Sequence, residues 1–297
     1  MKLQTPVVDE RCKVGISYKN KITMLGSCFT ENIGRQLVDF GFDALINPFG
    51  TLYNPISIKQ SIGLLTSGRL FTEEDCVEMG AGAGLICSFS HHTSFARKTK
   101  EEFLTHANTE LEMARKHFLE SDRVIITLGT SWCFRHIGSD MTVSNCLKRP
   151  AAEFIRKRLS TEEVTQTLEQ IAAICRDCPE CAEKEFIFTV SPIRHFKDGA
   201  HGNQISKAAL LVGTDDFITH NLCTSDYFPA YEIMMDELRD YRFYAEDMCH
   251  PSEQAVNYLC ERFLTWALPQ EERPMLEENI RALKRSRHID FDRRQAI

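Results

Sequence analysis

The chain has 297 residues, 43% of them apolar, with a formal net charge of −7 from interspersed acids and bases. This is enough to bury the core of one large domain, or of a domain with an insertion. The sequence has neither the basic stripe interleaved with aromatics that marks a nucleic-acid binder nor an apolar run long enough to span a bilayer. Residues 1–17 carry Asp9, Glu10, Arg11 and Lys13 in place of an apolar signal core, so residues 1–20 are expected to form a leader packed on the domain surface. The twelve cysteines accordingly read as reduced thiols of a cytoplasmic protein.

Residues 22–25, Ile-Thr-Met-Leu, form a short β-branched apolar run expected to be a buried strand. Gly26 interrupts it, and residues 31–38 read as an amphipathic helix with Ile33 and Leu37 four apart. Ser27 and Cys28 thus fall on a strand-to-helix turn, where unpaired helix N–H groups favour developing negative charge. A thiol there is a candidate nucleophile. The plainer reading makes Ser27 a helix cap and Cys28 a small buried residue.

A second strand is expected at 44–46, leading into Asn47-Pro48-Phe49-Gly50-Thr51-Leu52-Tyr53-Asn54-Pro55, an ordered loop because its prolines disfavour helix. Gly50 can bring a bare N–H to a ligand and Asn47 or Asn54 can offer an amide, which are oxyanion-hole parts; a plain turn is the alternative. Helices are expected at 57–65 and 101–118, with an acidic, glycine-rich stretch at 71–84 and an extended segment at 85–89 between them. His91 and His92, read as adjacent strand residues, point to opposite faces and cannot share one metal; one of them can line a cleft. Residues 124–128 form the clearest buried strand and end at Gly129 and Thr130, candidates for oxyanion or substrate contact. Residues 132–149 read as loop or short strands and 161–175 as helix.

Cys175, Cys178 and Cys181 have suggestive metal spacing, but no second cysteine pair lies in matching context, and Pro179 after the helix points to thiols packed at a helix end. Residues 186–190 form another buried strand, followed by Arg194 and His195, which can meet a substrate anion or anchor the loop. Residues 206–212 are expected to be helical, and 227–237 to hold a last strand and a helical turn. Glu246-Asp247-Met248-Cys249-His250-Pro251-Ser252 precedes an amphipathic run at 255–266. Asp247 and His250 are three apart, close enough for the carboxylate to orient the imidazole; the plainer reading is a capped turn. After Trp266 the composition shifts to a charged tail ending in Arg293-Arg294.

Alternating strands and helices mean an α/β fold with a mostly parallel sheet covered on both faces. No Gly-x-x-x-x-Gly-Lys or Gly-x-Gly-x-x-Gly run supports a nucleotide cofactor, and none of any kind is expected.

Gly26-Ser27-Cys28-Phe29 with Asp247-x-x-His250 resembles the opening and closing motifs of the SGNH (GDSL-type) hydrolases, and within them the GSCFA family. The 47–55 loop, Leu128-Gly129-Thr130-Ser131-Trp132, Thr189-Val190-Ser191-Pro192-Ile193-Arg194-His195, Asp198-Gly199-Ala200-His201-Gly202-Asn203-Gln204 and Tyr227-Phe228-Pro229-Ala230-Tyr231-Glu232 extend the likeness over about 20–265. The resemblance implies a three-layer, flavodoxin-like domain over 21–267 with an insertion at about 70–120, and a tail at 268–297. It also implies ester hydrolysis or acyl transfer on a small-molecule or glycan ester. Aligned by columns, Cys28 takes the nucleophile's place, with Ser27 as the fallback; His250 is the base and Asp247 its orienting acid. The family's Gly-x-Asn-Asp block is replaced by Gly129-Thr130-Ser131-Trp132. The triad expectation is geometric: Cys28 and His250 meet in one cleft, Ser27 turns away, and Gly50 faces the same cleft. A decayed hydrolase that only binds its ligand and a thiol or metal protein using Cys175, Cys178 and Cys181 are the alternatives.

Overall fold

The computed structural model describes residues 5–7 and 12–295, with side chains as far as residue 286. Asp9, Glu10 and Arg11 of the leader and the side chains of Arg293 and Arg294 lie outside the described residues.

The strands are β1 (Lys21–Gly26), β2 (Asp43–Ile46), β3 (Val77–Glu78), β4 (Ile86–Cys87), β5 (Arg123–Leu128), β6 (Trp132–His136), β7 (Thr142–Val143), β8 (Phe154–Arg158), β9 (Glu185–Val190) and β10 (Ser225–Tyr227). The helices are α1 (Cys28–Asp39), α2 (Pro55–Thr66), α3 (Lys100–Glu120), α4 (Thr161–Arg176), α5 (Gly199–His220), α6 (Ala230–Glu232), α7 (Glu253–Ala267) and α8 (Arg273–Gln295). A five-stranded, all-parallel sheet in the order β10-β9-β5-β1-β2 forms the middle layer. The chain leaves β1 for β2 on one side and returns to β5 on the other, so the strand order reverses at the β1–β5 boundary.

Strand alternation sorts the core into two layers. Ile22, Met24, Ile125 and Ile187 pack with α1 and α7. Leu25, Val124, Ile126, Phe186 and Phe188 face the opposite way, into α2, α3, α4 and α5. The leader joins the first layer: Val14 and Ile16 are fully buried and the Ile16 N–H donates to the Ala267 carbonyl at 3.0 Å.

Helix α5 runs far beyond the expected 206–212, through Gly213, which serves packing and does not break it. A Cβ on Gly213 would lie 2.7 Å from that of Val164, so the glycine permits the close approach of α4. The 132–158 segment forms a three-stranded antiparallel sheet, β7-β6-β8, which stands over the carboxyl edge of the main sheet. Helix α3 packs on β1 and β2 as part of the layered fold. Cys175 and Cys181 are buried at the end of α4, and among the described residues no group of three His, Cys, Asp or Glu could hold a metal ion. No helix among the described residues is long and apolar enough to cross a membrane.

Candidate active site

In an open α/β sheet, ligands collect beyond the strand carboxyl ends where the strand order reverses. The residues there are Gly26-Ser27-Cys28 after β1 and Gly129-Thr130 after β5. Gly26 has φ 149°, and a Cβ on it would collide with the Thr127 carbonyl oxygen. The chain therefore turns sharply and makes Cys28 the first residue of α1.

Ser27 is fully buried; its N–H donates to the Thr127 carbonyl at 3.3 Å and its Oγ accepts from the Phe29 N–H at 3.3 Å. Ser27 therefore caps the turn into α1 and does not face the cleft that Cys28 lines. Cys28 is half-buried, and its Sγ lies 3.5 Å from the Tyr53 hydroxyl. That phenol accepts from Thr51 Oγ1 at 3.3 Å, which leaves its own proton available. Burial, and next the neighbouring Cys28, push the Tyr53 phenol up to about 12, so it stays protonated at neutral pH.

His250 and Asp247 reach the same cleft from the loop before α7. Met248 at φ 57° curls this loop so that Asp247 Oδ1 accepts both the Cys249 and His250 N–H groups at 2.9 Å. Asp247 Oδ2 lies 2.5 Å from His250 Nδ1. The backbone N–H groups of His250 and Cys249, then the imidazole, hold the Asp247 carboxyl at about 2. The ring is thereby oriented through Nδ1 and its Nε2 is left for chemistry. Among the described residues no hydrogen bond joins Cys28 to His250. The thiol is turned to Tyr53 while the Asp247–His250 pair sits on the open rim, about half exposed.

The cleft has a volume of about 530 Å³, and the β6–β8 sheet forms its far wall. Arg194, His195 and Thr130 also line it. His195 is uncharged: burial first, then nearby Lys207, lower it to about 4, so it cannot hold an anion by charge. Its Nε2 and the Trp132 Nε1 are buried without a hydrogen-bond partner. Arg194 stacks its guanidinium over Phe196, 4.2 Å from the ring centroid.

The oxyanion role expected of Gly50 and Asn47 is corrected by where they lie. The Asn47 carbonyl takes the Gly50 N–H at 2.7 Å, and Asn47 Oδ1 accepts the Gly26 N–H at 2.9 Å while its Nδ2 stays buried without a partner among the described residues, away from Cys28. Gly50, at φ 77°, packs against His92, and both Gly50 and Asn47 line a separate cavity of about 430 Å³ with Glu31 and Arg35. Gly129 and Thr130 donate their N–H groups to the Tyr53 carbonyl at 2.9 and 2.8 Å, so neither amide is free. Thr130 keeps only its side chain at the cleft, with Oγ1 3.0 Å from Ser206 Oγ. Asn54 caps α2. The donors left beside Cys28 are the Tyr53 hydroxyl and the N-terminal edge of α1.

The two adjacent histidines lie in a turn, not a strand, and neither lines this cleft. His91 is buried among Phe49, Phe71, Phe95 and Phe103; His92 caps a 3₁₀ turn.

Sequence reasoning passed over two residues. Tyr53 lies inside a motif read for its glycine and amides. Lys207 is fully buried below the cleft, with Nζ 2.6 Å from the Gly129 carbonyl and 2.7 Å from that of Ser191. Its spacing to the buried Leu210 and Thr214 places it on the inward face of α5, a signal legible in the sequence.

The layers define a three-layer α/β protein with a cleft at the strand-order reversal. The model of the GSCFA family matches residues 21–263, and the chain belongs to that family. No curated protein and no solved structure matches it.

Proposed function

We propose that this protein is an SGNH-type hydrolase acting on ester bonds, an esterase, deacetylase or acyltransferase, with Cys28 as nucleophile. The observation that carries the reading is the Asp247–His250 pair, bonded through Nδ1 at 2.5 Å, on the cleft that Cys28 lines. The Cys28 thiol attacks the ester carbonyl carbon and its proton passes to His250 Nε2. The oxyanion is met by the Tyr53 hydroxyl and the N-terminus of α1. Collapse breaks the C–O bond, the leaving alcohol takes the proton from His250, and a thioester remains on Cys28. Water then attacks with His250 as base, and the carboxylic acid and free thiol are released. An acceptor alcohol in place of water gives acyl transfer. Asp247 holds the ring tautomer throughout. A substrate of small-molecule or glycan type and a cytoplasmic setting belong to this proposal; the latter is supported by twelve free thiols.

The test is intact-mass analysis after incubation with short-chain aryl esters and acetylated sugars. An acyl adduct on the wild type that is absent from Cys28→Ala, with turnover lost in His250→Ala, supports the reading. Equal turnover by His250→Ala sinks it. A ligand that stabilises the protein against heat yet is recovered unchanged supports the second reading, a binding protein, which the Cys28–Tyr53 contact favours over a Cys28–His250 one.

A further inference from the structure

The ionised side chains that reach the cleft are Arg156, Arg194 and Lys197 against Asp198 and Asp247, a cationic balance in a chain of net charge −7. The two carboxylates are already matched. Asp198, whose side chain is only 4% exposed, pairs with Arg156, and Asp247 with His250. Arg194 and Lys197 have no carboxylate partner among the described residues.

Arg194 is built in rather than dangling. Its guanidinium lies over the rings of Phe196 and Tyr244, at 4.2 and 5.6 Å from their centroids. Its backbone N–H donates to the Cys249 carbonyl at 3.0 Å, which ties it to the loop that carries His250. A planar guanidinium held on aromatic faces keeps its donor fork organised and loses little freedom when it meets an oxyanion. Phe134 and the almost fully buried Val143 of the β6–β8 sheet line the same cleft, with the Arg156 guanidinium 5.5 Å from the Phe134 ring centroid.

We infer that the cleft selects an ester that carries a carboxylate or phosphate group on an apolar body, the anion held by Arg194 and Lys197 and the body against Phe134 and Val143. The inference rests on the reading of this cleft as the acyl-transfer site. The anion is set apart from the reacting carbonyl and supplies binding and orientation only.

Two measurements separate the two claims. Calorimetric titration compares 2-naphthoate with its neutral isostere 2-naphthamide, and rates are compared for 4-nitrophenyl hemisuccinate and 4-nitrophenyl butyrate. The naphthoate is expected to bind at least about tenfold more tightly at low salt. That preference should shrink with added salt, fall in Lys197→Met and vanish in Arg194→Met, while Arg194→Lys retains part of it. Lys197 is exposed, so its variant tests the site even where Arg194→Met folds poorly. Equal binding of the two naphthyl compounds, no binding of either, or a preference that survives both methionine variants overturns the anion site. Anion-selective binding without turnover of either ester upholds the anion site and removes the hydrolase.

Discussion

Lys207 Nζ lies 2.6 Å from the carbonyl oxygen of Gly129 and bridges it to the Ser191 carbonyl at 2.7 Å. One buried amine thus joins the turns after β5 and β9 under the floor of the cleft.

Burial lowers the Lys207 amine from 10.5 to about 7. Below pH 7 it is charged both folded and unfolded, and the desolvation cost is fully present. Between about 7 and 10.5 the unfolded chain holds the extra proton, so stability rises with pH by up to about 1.4 kcal/mol per unit. Urea unfolding at pH 7 and 8.5 should give a wild-type minus Lys207→Met difference in stability that grows with pH. The difference is the readout because unfolded thiols begin to ionise near pH 8.5 while the buried Cys87 and Cys133, pushed up to about 11 and 12, stay protonated and oppose the rise in both proteins.

Two buried histidines govern the acid side. His91 is lowered to about 3 and His195 to about 4, in both cases chiefly by burial. Between those values and 6.5 the unfolded state binds more protons, so stability falls as pH drops from 6.5 toward 4. Denaturant midpoints measured at pH 7, 6, 5 and 4 should decline steeply, and His91→Gln should flatten the slope. An unchanged slope would show that other groups set the acid limit.

Tyr53→Phe keeps the ring and removes the hydroxyl beside Cys28. We expect kcat for ester turnover to fall about a hundredfold with little change in KM, as for loss of one oxyanion donor. Steady-state kinetics decide this, and unaltered kcat would reassign the phenol to packing.

Asn47→Ala should behave in the opposite way. Asn47 sits at φ 44° and its Oδ1 satisfies the buried Gly26 N–H. The variant should lose about 1–3 kcal/mol in stability, from the orphaned amide, while its kcat at low temperature stays near wild type. A selective loss of kcat would restore the oxyanion role that the geometry denies it.

The opening strand and the helices α1 and α7 were legible because apolar spacing and cap residues are local signals, whereas the charged stretch after Trp266 carries no such pattern and forms α8. The Asp247–His250 pair, whose contact spans a single turn of chain, was legible too. The extent of α5 was not legible, since Gly199, Gly202 and Gly213 look like breakers until α4 is seen to press against Gly213. The short strands β6 and β7 fall where the sequence leaves loop or short strands open, but β8 and the antiparallel pairing of the three were not legible because the strands are short and partly polar.

By itself the sequence determined the alternation of strands and helices, the thiol at the start of α1 and the carboxylate three residues before a histidine. These depend on periodicities and turn chemistry that act over a few residues. Only the tertiary structure decided which donors are free. The N–H groups of Gly50, Gly129 and Thr130 look equally available in a string of letters. Loop closure spends the first on Asn47 and the other two on the Tyr53 carbonyl, leaving the Tyr53 hydroxyl at Cys28. Hydrogen-bond groups have limited capacity, and their partners here are brought by chain segments far apart in sequence. Which group remains to meet a substrate is therefore a property of the packed fold.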